Sequence, residues 1–476
     1  MRFPTQLLIN GQARAGSEGA SLPVINPATE KTLCEAASAS RQDVDAAAEH
    51  AQQCFDKEWR DLTPGRRAAI LFDIAKIVRE RSEELAQLEM LNIGKPISDA
   101  RDEIALGART FEYYAGAISK FCGQTIPVAR GGFDFTLRQP MGVVAAIVPW
   151  NFPFPIACWK VAPALAAGNC VLLKPARLSP LTALRLGELA LEAGLPAGAL
   201  QVLPGPGDEI GEALVRHPLV RKIGFTGSTS VGAQIMRSAA DDVKRVSLEL
   251  GGKSPNIIFA DSDWEQAAKS APMSVFANTG QDCCARSRVF VERKIYKKFL
   301  EVLVDATKSL VVGNPADKKT QIGPMVSEHQ RGVVEGYLES ARQAGREILC
   351  GGERKGKKGY YLMPAVIAGC ETSDKVWREE IFGPVACVRT FVNEDEMIAE
   401  VNASPYGLSG SIWTNDLKRA LRVARRVESG VLSINTNSSV HVEAPFGGFK
   451  QSGLGRDLGM AAMEAYTELK NVYVAQ

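Results

Sequence analysis

Histidine is scarce in this 476-residue chain: there are four, His50, His217, His329 and His441, none near another in sequence and only His50 near a cysteine, Cys54. That argues against a local zinc cluster, and it makes another residue type worth seeking as a general base, although sequence distance alone leaves a Cys–His pair open. The ten cysteines show no C-x-x-C spacing and adjoin only at Cys283-Cys284, so neither a disulfide framework nor a bound metal is expected. No run of about 18 apolar residues exists to span a bilayer, and Met1 to Gly11 lacks the apolar segment of a signal peptide. Neither sign of charge is in excess: a net charge of +2 gives no reason to invoke nucleic acid or an anionic membrane as partner. Internal repeats and low-complexity segments are also missing. The expectation is a soluble, cytoplasmic protein acting on small molecules, and its length calls for at least two domains.

Local patterns indicate a mixed fold. Leu7-Leu8-Ile9 reads as a strand entering an Asn10-Gly11 turn, a pair that accepts the positive φ of a hairpin. Thr63 as N-cap and Pro64 at the first position open one helix, with apolar residues at helical spacing from Ile70 to Leu91 and Gly94 and Pro96 as its stop. A second helix starts after Ser98 and carries Phe111, Tyr113 and Tyr114. Gly123 to Gln139 alternates loosely and suits an exposed strand in need of a partner. From Gly142 the pattern changes. Gly142 to Pro149 and Cys170 to Leu173 read as strands buried on both faces, with helical content between them. A helix capped by Ser179 with Pro180 at its start follows, then short strands at Leu200–Leu203 and Lys222–Thr226 around a helix at Asp208–Val215. A second block, with strands at Ser254–Phe259 and Ala386–Phe391 and a helix near Trp264–Ser270, comes after Gly252. This alternation predicts parallel α/β sheets that hold ligands at the carboxyl ends of their strands.

Several motifs fall at those ends. In Asn278 to Arg288 two cysteines sit in a polar, glycine-containing segment just before an apolar run, a setting for a reactive thiol. Asn151, between Pro149 and Pro153, is an amide on a rigid backbone that can face an oxyanion. Lys174 ends a buried strand where it can reach ribose hydroxyls. Gly224 to Gly232, with Gly227 and Gly232 bracketing hydroxyl residues, resembles a phosphate-holding turn into a helix, though it is neither G-x-G-x-x-G nor a P-loop. Glu249, beside Gly251 and Gly252, is a carboxylate whose partial shielding would suit a general base. Glu379 to Pro384 pairs acidic groups with Phe382.

Taken in order, Pro149-Trp150-Asn151-Phe152-Pro153, Lys174-Pro175, Phe225-Thr226-Gly227-Ser228, Glu249-Leu250-Gly251-Gly252, Gly280-Gln281-Asp282-Cys283, Glu380-Ile381-Phe382-Gly383-Pro384 and Pro445 to Lys450 resemble the aldehyde dehydrogenase superfamily over essentially the whole chain. The resemblance implies oxidation of an aldehyde to its acid with NAD or NADP. Cys283 matches the nucleophile and Cys284 a bystander. Asn151 and the Cys283 N–H would hold the oxyanion, hydride would leave for the nicotinamide, and Glu249 would activate the water that hydrolyses the thioester. The presence of Glu249 argues against the CoA-acylating branch. Trp150, Lys174, Gly227, Ser228, Glu380 and Phe382 would hold the dinucleotide, and Lys160 with Asp457 a proton path. The implied architecture is a Rossmann-like dinucleotide-binding domain (1–122 and 140–250), a catalytic α/β domain (251–450) and a small β oligomerisation element (123–139 and 451–476), assembled as a homodimer or homotetramer. Two other readings of the same residues, a silent binding relative and a cofactor-free thiol esterase, differ from it in producing no reduced nicotinamide.

Three departures bear on specificity. Arg177 stands where NAD-preferring enzymes of this kind have a glutamate, so NADP is expected to be accepted, even preferred. Asp282 precedes the nucleophile and would raise its pKa if aimed at it, so it is expected to point into the substrate tunnel. Phe152 and Trp159 match aromatic tunnel positions, but Val440 replaces a third aromatic among Ser438, Ser439 and His441. The expected substrate is a small or polar aldehyde, amine-bearing ones included.

Overall fold

The structure, a computed structural model, describes residues 2–475. Met1, the first residue of the stretch read for a leader, and Gln476, the last of the expected oligomerisation element, lie outside the described residues.

Two largely parallel sheets dominate, as the alternation of elements predicts. In the first, Leu200–Val202, Cys170–Lys174, Val143–Ile147, Val220–Thr226 and Arg245–Glu249 lie side by side in that order, all parallel. The apolar runs of Val143–Ile147 and Cys170–Lys174 are buried throughout because helices cover both faces. The Leu7–Ile9 and Gln12–Arg14 hairpin closes one edge, turning through Asn10 and Gly11 at positive φ. Chain order reverses beside Val143–Ile147: later strands are added on one side as far as Leu200–Val202, and on the other from Val220–Thr226 onward. A crevice at the carboxyl ends of the strands follows from that reversal, since the flanking connections leave in opposite directions.

In the second sheet Ala365–Ala368, Val385–Phe391, Arg288–Glu292, Pro255–Ile258, Ser409–Trp413 and Val431–Ile434 are parallel, with Glu347–Cys350 antiparallel at one edge. The turn after Glu249 brings the amino ends of this sheet against the carboxyl ends of the first. Gly252 allows the approach: a Cβ there would lie 2.4 Å from the Cys283 carbonyl oxygen.

The helix Pro153–Ala166 is buried at every position. Helix Ile97–Ala117 packs across it at Gly107, where any Cβ would come within 2.4 Å of the Phe154 ring. Burying Phe154 completely is worth about 2–3 kcal/mol, and this contact sets one wall of the site.

Some local expectations need correction. The single helix expected from Thr63 to Gly94 is two, Pro64–Glu80 and Ser82–Ile93, broken at Arg81 (φ −101°, ψ 16°). The break falls in a charged stretch with no apolar contact to hold a straight axis, and Glu83 and Glu84 start the new helix favourably. Thr63 caps as expected, accepting from Arg66 N–H. Ser179 does not cap: the helix is Leu181–Glu192 with Pro180 at the cap position, and the Leu181 N–H is directed at Asn92 Oδ1, 3.5 Å away. The stretch 208–215 begins as a wide turn, Gly207–Gly211, before the short helix Glu212–Arg216. The stretch 451–476 divides. Thr467–Val474 pairs with Phe133–Pro140 in a three-stranded sheet, whereas Gly453–Leu454 joins the first large sheet beside Arg245–Glu249. Among the described residues no helix is long and apolar enough to cross a membrane.

Candidate active site

The loop that carries Cys283 is held in an unusual backbone. After helix Trp264–Phe276, Asn278, Thr279 and Gly280 have φ of 51°, 59° and 68°. Left-handed geometry at a β-branched threonine costs about 1–3 kcal/mol, and a set of hydrogen bonds offsets it. Thr279 Oγ1 donates to the Gly323 carbonyl (3.0 Å), Asn278 Nδ2 to the Asn151 carbonyl (2.8 Å), and Gln281 Oε1 accepts from Val326 N–H (2.9 Å). Gly280 packs on the backbone of residues 383–384, where a Cβ would lie 2.2 Å from the Gly383 oxygen. The same network positions Asn151. Its Nδ2 donates to the Gln281 carbonyl at 2.9 Å and its own carbonyl accepts from Lys95 Nζ at 3.1 Å. One amide N–H of Asn151 is left for an incoming oxygen.

Cys283 is partly exposed, and its thiol is raised above the usual range by its hydrogen bond with Cys284, then by burial and by the charges of Asp282 and Glu380. Asp282 both borders the cavity and bears on the thiol, so the expectation that it points only into the tunnel needs correction. The reason is a local tether: Asp282 Oδ1 accepts from Cys284 N–H at 2.8 Å, which keeps the carboxylate against its own loop. Burial raises the Asp282 carboxyl in turn. The ligand atoms of Asp282, Cys283 and Cys284 lie within 4.8 Å of one another, and among the described residues no fourth His, Cys, Asp or Glu joins them to complete a tetrahedral set.

Glu249 ends strand Arg245–Glu249 and is 4% exposed. Burial, reinforced by Asp457, raises its carboxyl well above the ordinary value. Its Oε2 is buried without a hydrogen-bond partner, and Gly447 makes room for Oε1, to which a Cβ would approach within 2.6 Å. Beside it Lys160 Nζ donates to Asp457 Oδ2 at 2.8 Å, both groups buried. The sequence-predicted relay pair therefore sits together next to the candidate base.

At the point where strand order reverses, Trp150 follows one strand and Gly227-Ser228 the neighbouring one. Ser228 Oγ accepts from Val231 N–H (3.4 Å) and caps the 12-residue helix Thr229–Ala240, whose N-terminus favours a phosphate. Lys174 is buried, its pKa lowered to about 8 by burial, and its Nζ donates to the Pro175 carbonyl beside it. Arg177 is exposed close by. Glu380 accepts from Gly252 N–H (3.0 Å), with burial raising it to about 7, and the rings of Trp150 and Phe382 meet edge to face at 5.2 Å. A buried ammonium, a capped helix N-terminus, a carboxylate and two aromatic rings around one crevice fit a nicotinamide dinucleotide.

Cys283, Asp282, Glu249, Asp457, Phe152, Trp159 and Val440 all line a second space, a cavity of about 700 Å³. Asn151 stands behind its wall, bound to the nucleophile loop. The predicted cofactor residues do not line this cavity. Sequence reasoning missed Arg286, Lys95, Glu103 and Asn278. Arg286 and Glu103 also line the cavity, and Lys95 is ion-paired to Glu103. The available signal for Arg286 was its place, a cation three residues after the nucleophile.

The profile of the Aldehyde dehydrogenase family matches residues 14–472. The phenylacetaldehyde dehydrogenase of Pseudomonas fluorescens is 43% identical over 486 residues, covering 100% of this chain and 97% of that one. Among solved structures, the NAD+ complex of aldehyde dehydrogenase from Bacillus cereus superposes with a TM-score of 0.97 at 41% identity, over 99% of this chain and 96% of that one. The indole-3-acetaldehyde dehydrogenase of P. syringae, solved with NAD+ and IAA, gives 0.99 at 40% identity over 100% and 97%. With a thiol, an amide, a shielded carboxylate and a dinucleotide crevice assembled in one place, and with relatives matching from end to end, the chain belongs to the aldehyde dehydrogenase family.

Proposed function

We propose that Cys283 is the nucleophile, Asn151 the oxyanion donor and Glu249 the general base in the family's oxidation of an aldehyde to its acid. Three distant parts of the sequence meet here, Cys283 and Glu249 on one cavity and Asn151 bonded to the nucleophile loop behind its wall, and that convergence carries the reading. The Cys283 sulfur adds to the aldehyde carbon, and the free N–H of Asn151 with the Cys283 backbone N–H meets the oxygen that becomes charged. A bound nicotinamide supplies the hydride acceptor. Glu249, shielded and poised with a raised pKa, takes the proton of the water that releases the acid, and Asp457 with Lys160 passes it on.

Trp150, Lys174, Gly227, Ser228, Glu380 and Phe382 hold the dinucleotide in this reading, and NADP serves as well as or better than NAD. Arg177, exposed beside Lys174, supports that preference as a partner for a 2′-phosphate. The test is the absorbance of reduced nicotinamide with an aldehyde panel and each cofactor. The expected result is turnover with NADP at a KM no higher than that for NAD, and an increase in the NADP KM of about tenfold or more in Arg177→Glu, in which repulsion replaces pairing. A NADP KM far above the NAD value in the unaltered chain defeats the preference.

Asn437, Ser438 and Ser439 on the cavity wall support a polar substrate. The domain division given above is kept, with 453–454 moved to the dinucleotide-binding part. The exposed apolar side chains of the three-stranded sheet, including Phe133 (52% exposed) and Leu469 (59%), support its use as an interface between copies of this chain. Sedimentation velocity is expected to give a dimer or tetramer; a monomer at micromolar concentration overturns this. Ten free thiols support a reducing, cytoplasmic setting.

A further inference from the structure

Arg286 is 6% exposed and lines the substrate cavity. Each hydrogen bond it makes goes to a neutral acceptor: Nε to Ser411 Oγ (3.1 Å), Nη1 to the Cys284 carbonyl (3.3 Å) and Nη2 to Ser439 Oγ (2.8 Å). A guanidinium has five N–H groups, so one remains on each terminal nitrogen. Burying a cation that no carboxylate neutralises is unfavourable, and that cost is offset when a ligand brings the missing charge.

Of the acids around the cavity, Glu249 has no partner and makes no hydrogen bond with Arg286, and the other three are already engaged. Glu103 is paired with Lys95, Asp457 with Lys160, and Asp282 is tied to Cys284 N–H. Asp282 also feels the charge of Arg286, but it forms no hydrogen bond with it. Around Arg286 the wall offers hydroxyls and amides, among them Ser270, Ser274, Asn437 and Ser439, and Asn437 Oδ1 is buried without a partner. Phe152 and Trp159 supply apolar surface for a carbon chain.

We propose that Arg286 binds the carboxylate of the substrate, which is therefore a short-chain aldehyde acid whose oxidation yields a dicarboxylate. The assignment rests on the aldehyde oxidation above and names its substrate class. End-on pairing of a carboxylate with the two terminal nitrogens suits a planar guanidinium better than any contact with a hydroxyl or methyl terminus. An ammonium terminus is repelled, which sets amine-bearing aldehydes aside. Because Nη1 bonds the carbonyl of the residue next to the nucleophile, and adjacent Cα atoms are about 3.8 Å apart, only a few methylenes separate the two ends of the substrate.

The experiment uses the full chain, saturating cofactor and three aldehydes of equal chain length ending in carboxylate, methyl or ammonium. The unaltered protein is expected to favour the carboxylate compound in kcat/KM by about tenfold or more over either of the others. Arg286→Gln is expected to lower the carboxylate-to-methyl ratio by about 10–100-fold, mostly through KM, the loss of a charged hydrogen bond. Arg286→Lys should recover part of that ratio. The matching dicarboxylate should compete with aldehyde in the unaltered chain and not in Arg286→Gln. A purely structural role for Arg286 lowers all three substrates together and leaves the ratio unchanged, which overturns the assignment, as does a preference for the methyl or ammonium compound. Reduced nicotinamide from none of the three, with the dicarboxylate still bound, strikes at the oxidation reading and leaves the carboxylate site standing.

Discussion

Replacing Cys283 with alanine is expected to lower kcat/KM for every aldehyde by at least about four orders of magnitude, because no other group at the site can carry the acyl chain. The neighbouring thiol does not substitute. Cys284 is buried at 5% exposure, and its N–H is engaged by Asp282. Cofactor affinity should survive, since the residues proposed to hold the dinucleotide, Trp150, Lys174 and Ser228, do not include Cys283. The check pairs steady-state rates with a fluorescence titration of reduced cofactor. Cys284→Ala, by contrast, should retain most activity, and a collapse comparable with that of Cys283→Ala would mean the two thiols work as a unit.

Glu249→Gln is the second large effect expected, with kcat reduced about 10²–10⁴-fold. The loss should fall on release of the acid, so rapid mixing should still show a burst of reduced nicotinamide approaching one equivalent per site. Absence of a burst would place Glu249 in the attack step instead. The pH dependence has a definite sign. Burial raises the Glu249 carboxyl, so its working, deprotonated form becomes more populated as pH rises, and the release rate climbs from neutral to alkaline pH. In the glutamine variant that limb disappears. Stability changes the other way: the folded protein keeps on Glu249 a proton that the unfolded chain has lost, so this carboxyl makes the fold progressively less stable from its unfolded pKa up to its raised folded value. Glu249→Gln removes that slope and should be at least as heat-stable as the parent in the alkaline range, which separates a catalytic defect from a folding one.

Much of this was legible in the amino-acid string because it depends on neighbours in the chain. Val143–Ile147 and Cys170–Lys174 announce themselves as buried parallel strands by uninterrupted apolar runs, Thr63-Pro64 as a helix start, and Asn10-Gly11 as a turn. The ordered motifs around Asn151, Glu249 and Cys283 identified the family. Where the reading failed, the causes differ. Ser179 lost its capping role where distant Asn92 reaches the first N–H of the next helix, whereas the helix broke at Arg81 within an exposed, charged stretch of its own sequence.

By itself, then, the sequence determined the α/β class and the family, and it named the candidate reacting groups, since these are written in local pattern and order. Tertiary structure alone decided what those groups can do. Asn151 is aligned by a bond to Gln281, 130 positions away. Asp282 bears on the thiol because Cys284 holds it there, and Arg286 is a buried cation on the cavity wall only once the chain has folded around it. Charge, burial and hydrogen-bond partners are set by what surrounds a side chain in space, and no spacing along the chain encodes that directly.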